Sequence, residues 1–290
     1  MNDNPRRRLH RAVTACGAAL AGCVAIALFA CAQVAPLKLT GEPVIGQQVL
    51  GLLPTQALLF GEQHDAPEHA ELALKTVLAL TQANALATFA LEMADSPAST
   101  ADLKPDASEA AVQAALKWQN EAWPWARYGP VVMAAVRAGV PVLGANLART
   151  QMREAMQNAA LDTRLDASAL AAQRQAIIQG HCSLLPDAQI PGMTRIQIAR
   201  DVAMARTVAQ AARPGQTVLL LAGAAHVSRA LGVPLHLPPE FRLKVLVAQV
   251  DTAQAAIKNE AAIDLLWITP ALPPTDYCAQ LRQQPRAGKP

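Results

Sequence analysis

Short runs that are apolar throughout, separated by longer amphipathic stretches, restrict this chain more than any other feature. Ala57-Leu58-Leu59-Phe60, ending at Gly61, is the first strand candidate. Ala87 to Met93, Val140 to Asn146, Thr217 to Ala222, Leu243 to Val250 and Asp264 to Thr269 follow. Helical patterns lie between them: Pro67 to about Thr81, Ser108 to Trp118, Pro130 to Ala138, and two or three helices between Thr150 and Arg213, broken near Pro186 and Pro191. A strand with one solvated face alternates polar with apolar. These do not, so both faces are covered, and the expectation is an α/β fold with a mostly parallel sheet and helices on both faces. Residues from about 150 to 212 interrupt the rhythm and read as a helical insertion, and no clean linker marks a second domain.

In an open α/β sheet, ligands bind beyond the carboxyl ends of the strands. The first strand runs into Glu62-Gln63-His64-Asp65, the second ends at Glu92, the third at Asn146, and the fourth runs through Gly223 to His226. Only 16% of the residues are charged, so two carboxylates, two imidazoles and a carboxamide at neighbouring strand ends stand out. Such groups are partly desolvated and must be paired or bound to a ligand. They suit a divalent metal, proton transfer, or an acidic or metallated ligand. Glu62 and His64 flank one residue, so in extended chain they point the same way.

Structural roles compete at each position. Asp65 reads as a helix N-cap, with Glu68 three residues on as in a capping box. Asn146 reads as a cap or a site member, Glu92 as a site carboxylate or an acceptor of a helix amide, and His226 as a site residue or a loop histidine. His69 reads as a solvated helix residue and His236 as a surface one. His181 suits either an exposed axial ligand or a structural role. Tyr128 follows Trp123, Pro124, Trp125 and Arg127 in a chain that is 3% aromatic. That cluster is either core or a flat apolar wall for a planar ligand, with the phenol as an iron ligand.

The first residues read basic, then apolar, then polar. Arg6, Arg7, Arg8 and Arg11 precede an almost uncharged run from Ala12 to Ala30, the layout of a secretory signal over residues 1–31. Leu28-Phe29-Ala30-Cys31 closes that run like a lipobox, and Leu20-Ala21-Gly22-Cys23 is the alternative. Diacylation at Cys31, or at Cys23, would supply the two chains that stable anchoring needs; an uncleaved signal anchor is the competing reading. Residues 1–30 hold four arginines and one aspartate, the whole of the formal +3, so the remainder carries 21 basic and 21 acidic residues. A neutral domain gives no basis for nucleic-acid binding. Three of five cysteines lie in the signal, and an oxidising compartment would join the other two, Cys182 and Cys278. Two free buried thiols is the alternative. Residues 281–290 read as a flexible tail.

LLFGEQHDAPEH, FALEM, WPWARYGPVVMAAVRAGVPVLGANLART, RDVAMARTVAQ and TVLLLAGAAHVSRALGVP resemble, in that order, the ChaN-like haem-binding uptake family, related to Tiki and erythromycin-esterase-like proteins. The resemblance runs from about residue 50 to 280, and HCSLLP near 181 with DYC near 277 is similar to a cysteine pair of one subgroup. It implies a haem-binding α/β domain over residues 32–280, in an iron-regulated lipoprotein anchored in the periplasm, at the outer membrane. It further implies a homodimer sandwiching stacked haems and an outer-membrane haem receptor as partner. Tyr128 and His181 become the candidate iron ligands, with Glu62, His64, Glu92, Asn146 and His226 as further cofactor-binding candidates. Relatives in the wider superfamily place Glu62, His64, Glu92 and His226 in hydrolysis, so a metal-dependent or Glu/His-based hydrolase is the alternative function.

Overall fold

A computed structural model describes residues 37–38, 42–251 and 262–283. Both lipobox cysteines, the whole expected signal and residues 284–290 lie outside them. Seven strands form one sheet: β1 (Leu37–Lys38), β2 (Ala57–Glu62), β3 (Leu86–Asp95), β4 (Val142–Asn146), β5 (Thr217–Gly223), β6 (Leu243–Val250) and β7 (Leu265–Thr269). Their order is β1-β7-β6-β2-β5-β3-β4, and every neighbouring pair is parallel. The chain begins its crossovers at β2, steps outward to β3 and β4, then returns to place β5 between β2 and β3. The expected α/β architecture is the one found.

Eight helices accompany the described strands: α1 (Glu42–Leu50), α2 (Pro67–Gln82), α3 (Glu109–Ala115), α4 (Trp125–Arg137), α5 (Met152–Gln157), α6 (Ala167–Gly180), α7 (Ile190–Ala211) and α8 (Tyr277–Gln283). Successive strand residues point to opposite faces. Leu58, Phe60, Phe89, Leu91, Leu219, Leu221 and Trp267 meet α1, α2 and α4 on one face. Ala57, Leu59, Ala90, Leu220, Ala222 and Val245 meet α7 on the other, where smaller residues let Met204, Ala205 and Val208 approach. Leu58 and Leu219 are fully buried, so truncating either to Ala should cost about 2–5 kcal/mol. No described helix is long and apolar enough to cross a membrane.

The helical block expected at about 150–212 lies between β4 and β5; within it α7 is the crossover helix that packs on the sheet, while α5 and α6 pack on α7. Two expectations change. Helix α4 starts five residues before Pro130, because the Asn120 Oδ1 accepts the Trp125 amide at 2.8 Å and the buried Trp125 and Tyr128 hold the first turn. The tail expected from residue 281 begins in helix, since residues 281–283 complete α8. Cys182 and Cys278 form the disulfide anticipated from cysteine usage. In the chain-entropy picture, closing a loop of about 100 residues stabilises by up to ~4.7 kcal/mol.

Candidate functional site

The strand ends converge because β5 lies between β2 and β3. Glu62 ends β2 directly opposite Gly223 of β5. Glu92 sits where the pairing of β3 with β4 slips register between Leu91 and Asp95, the kind of irregularity that re-aims a side chain. Asn146 occupies that slip: its Nδ2 donates to the Glu92 carbonyl at 2.9 Å, and its Oδ1 accepts the Leu147 amide. Asn146 therefore holds the Glu92 backbone rather than capping a helix.

The side chains form a continuous relay. The Tyr128 hydroxyl donates to Glu62 Oε1 at 2.7 Å, and the same oxygen lies 2.9 Å from His64 Nδ1. His64 Nε2 faces Glu92 Oε2 at 3.6 Å. Glu92 Oε2 accepts the Gly223 amide at 2.7 Å, and Glu92 Oε1 lies 3.3 Å from His226 Nε2. His226 Nδ1 meets Asp201 Oδ1 at 2.5 Å, and the Gln197 amide nitrogen lies 3.2 and 3.3 Å from the two ring nitrogens. Glu62, Glu92, Asp201, His226 and Tyr128 are buried, while the His64 side chain is 36% exposed, so His64 is where the relay meets solvent.

Burial and pairing compete at each group. Burial opposes charge on His226, but the Glu92 and Asp201 carboxylates outweigh it and raise the imidazole to about 10. Glu92 is the mirror case: burial pushes it up, yet His226, His64 and the Gly223 amide bring it down to about 2. His64 is raised, since its bond to Glu62 and the Glu92 charge outweigh desolvation. Asp201 is raised, chiefly by burial. Tyr128 lies well above an ordinary phenol because burial and the Glu62 charge both resist its ionisation. Acting as an iron ligand would require this phenol to give up its bond to Glu62 and become accessible.

The rim is built from the loop after β2 and the aromatic segment before α4. The Arg127 guanidinium donates to the His64 carbonyl, and the Trp123 ring stands edge-on to the His64 ring with centroids 4.9 Å apart. A Cβ on Gly223, the last residue of β5, would lie 2.9 Å from His64 Nε2, so glycine there lets the imidazole pack closely against the strand end. Glu62 Oε2 is buried without a partner. Among the described residues no three His, Cys, Asp or Glu side chains converge as a metal-holding group; the acids and imidazoles engage one another instead.

His181 lies elsewhere, closing α6 with its Nδ1 2.8 Å from the Ile177 carbonyl. No hydrogen bond, ion pair or ring contact among the described residues joins it to the relay. Asp65 is not the N-cap of α2, which is Ala66 without a side-chain bond; Asp65 accepts the Tyr277 hydroxyl instead. His69 is fully buried rather than solvated: its Nδ1 accepts the Gln63 amide at 2.9 Å and its Nε2 lies 3.0 Å from Thr269 Oγ1. His236 is half-buried rather than superficial, and burial with the nearby Arg164 charge lowers it to about 4.

The sequence reading missed Asp201, Gln197 and Arg127 as site residues. A signal for Asp201 existed. It stands on the stripe Thr194, Ile198, Asp201, Ala205, Val208, where the neighbouring members are buried, and an acid at such a position needs a buried partner.

Residues 51–237 match the family described as haem-binding uptake, Tiki superfamily, ChaN. The chain belongs to that family. A structure of cofacial haem binding to ChaN of Campylobacter jejuni is 24% identical and superposes with a TM-score of 0.60, covering 70% of this chain and 85% of that one. That likeness concerns the fold. A MARTX toxin effector domain, RRSP, from Vibrio vulnificus is 14% identical with a TM-score of 0.42, covering 73% of this chain and 36% of that one. No curated protein matches the chain.

Proposed function

We propose that this chain binds haem at the rim of the strand-end relay and holds it in the bacterial envelope for uptake. The observation that carries this reading is the family match across residues 51–237, a span that includes every relay residue and His181. Two imidazoles could meet a planar iron ligand. His64 is partly exposed with its ring beside Trp123, but its Nδ1 is on Glu62 and its Nε2 faces Glu92, so ligation would require Nε2 to turn away from Glu92. His181 has its Nδ1 on the Ile177 carbonyl, an arrangement that sets the tautomer and leaves Nε2 as the donor atom. Bound haem would supply an iron centre with an open valence for these imidazoles.

Hemin titrated into the mature protein should give a saturable Soret shift, and no saturable change at micromolar protein sinks the reading. His64→Ala, His181→Ala and Tyr128→Phe then assign the ligand by loss of the bound spectrum. Anchoring through Cys31, with Cys23 as the alternative, in the periplasm at the outer membrane belongs to the same proposal. Radiolabelled palmitate incorporation lost in Cys31→Ser but not in Cys23→Ser would place the lipid. A homodimer sandwiching haem, and a haem receptor as partner, extend it; gel filtration with and without hemin tests the dimer.

A hydrolase is the second reading, favoured by Glu62 Oε2, a buried carboxylate oxygen without a partner next to His64. A water held there would meet a base. Absence of divalent metal in the purified protein, with no hydrolysis across ester and peptide substrates, removes it.

A further inference from the structure

After β7 the chain does not leave the molecule. Thr269, the last residue of β7, is joined through His69 to the Gln63 amide, in the loop that carries His64. Residues 270–276 then run without regular structure to α8, where the Tyr277 hydroxyl donates to Asp65, the neighbour of His64. The next residue, Cys278, is bonded to Cys182, the neighbour of His181, with Cα atoms 5.6 Å apart. By sheet order β7 stands two places to one side of β2, whereas Cys182 belongs to the helical block that follows β4 at the far edge. The segment therefore runs from the end of β7 past β6 to the loop after β2, where Cys278 ties it to that helical block. Strands are ~4.8 Å apart, and eight residues reach up to ~29 Å, so the crossing has slack.

Little besides its fastenings holds this segment. Helix α8 has seven residues and buries none of them, and a helix that short is not stable alone. Its Arg282–Asp276 pair, 3.7 Å apart, is exposed on both sides and contributes little. The anchoring loop is strained: Cys182 and Ser183 have φ of 55° and 56°, left-handed values for residues with a Cβ. Both bridged cysteines are only half-buried.

We propose that residues 270–283 are a strap across the mouth of the strand-end site, fastened by Cys182–Cys278, and that thiol–disulfide exchange at this bond controls access to His64 and the placing of His181. A dithiol supplies the two electrons. One of its sulfurs attacks the bridge to form a mixed disulfide, its second thiolate displaces the protein sulfur, and its two protons end on the Cys182 and Cys278 thiols. Released, α8 loses its main attachment and the loop at 182–183 can relax. The strap stands whichever ligand the site takes.

The test needs no ligand. Diethylpyrocarbonate modification of His64, followed by mass spectrometry at one pH, is compared in the oxidised full-length chain, in the same protein reduced with dithiothreitol, in Cys182→Ser/Cys278→Ser and in Tyr277→Phe with the bridge intact. Buried His69 and His226 are the internal references. His64 should react roughly tenfold faster on reduction and in the double variant, as for a local opening. Tyr277→Phe should give a smaller rise, and the references should not change. An unchanged His64 rate in all three overturns the proposal. So does a parallel rise at His69 and His226, which marks loss of the fold rather than release of the strap. A failed hemin titration would leave these rates untouched, so the two ideas fall separately.

Discussion

Two carboxylates in this protein each face two cationic partners, at opposite ends of the sheet. At the amino end of β7, Asp264 meets Lys244 at 2.8 Å and Arg229 at 2.6 Å, and also accepts the Val245 amide. Its oxygens are fully engaged, its partners are permanent cations, and their side chains are 36–43% exposed. At the carboxyl end, Glu92 meets His226 and His64, and there the partners titrate and the carboxylate is sealed from solvent. Further along the same relay, Glu62 keeps one oxygen unengaged. The first cluster ties strand ends together. The second holds titratable charge at the strand ends, beside the partly exposed His64.

The sharpest test is truncation. Glu92→Ala leaves the buried His226 beside Asp201 alone and should cost about 3–5 kcal/mol, while Asp264→Ala should cost about 1 kcal/mol. Urea denaturation measures both, and equal losses would break the comparison. Next comes pH. His226 is raised from 6.5 to about 10, so its stabilisation is complete below 6.5 and is lost as pH rises toward 10. Glu92 is lowered from 4.5 to about 2, so its share is present above 4.5 and lost as pH falls through about 2. Asp264, also lowered, weakens only on the acid side. Stability should therefore peak between about 4.5 and 6.5 and fall on the alkaline limb by up to about 1.4 kcal/mol per pH unit. His226→Gln should flatten that limb, and Asp264→Asn should leave it in place.

A smaller effect is expected from Tyr128→Phe, which removes one hydrogen bond from Glu62 at a cost of about 1 kcal/mol and should lower His64 reactivity little. The smallest is salt. Raising NaCl to about 1 M shortens the screening length to about 3 Å and should weaken the Asp264 cluster by a few tenths of a kcal/mol, leaving the Glu92 relay unmoved.

Much of this arrangement was legible from the residues. Fully apolar runs dictate covered strands, and β6 occupies Leu243–Val250 as expected. Polar residues that end such runs must share the crevice, which is why Glu62, His64, Glu92 and His226 could be grouped without coordinates. Asn146 belongs with them, but by holding a carbonyl freed by a register slip that no periodicity reveals. Asp201 and Gln197 were hidden because a helix offers acids to solvent far more often than to a buried imidazole. His69 was misread for the same reason: its partners, Gln63 and Thr269, are respectively in a loop and 200 residues away.

The late position of β5 sets an order of assembly. Its neighbours β2 and β3 precede it by more than a hundred residues, and both are apolar on each face. A chain emerging amino end first therefore exposes two unpaired edges long before the strand that must lie between them exists, and such edges invite wrong partners. Parallel pairing across that separation is intrinsically slow. Gly223 and His226 arrive with β5, so the relay closes only when most of the chain is present. A fragment truncated before residue 217 would lack Gly223 and His226 and could not complete the relay.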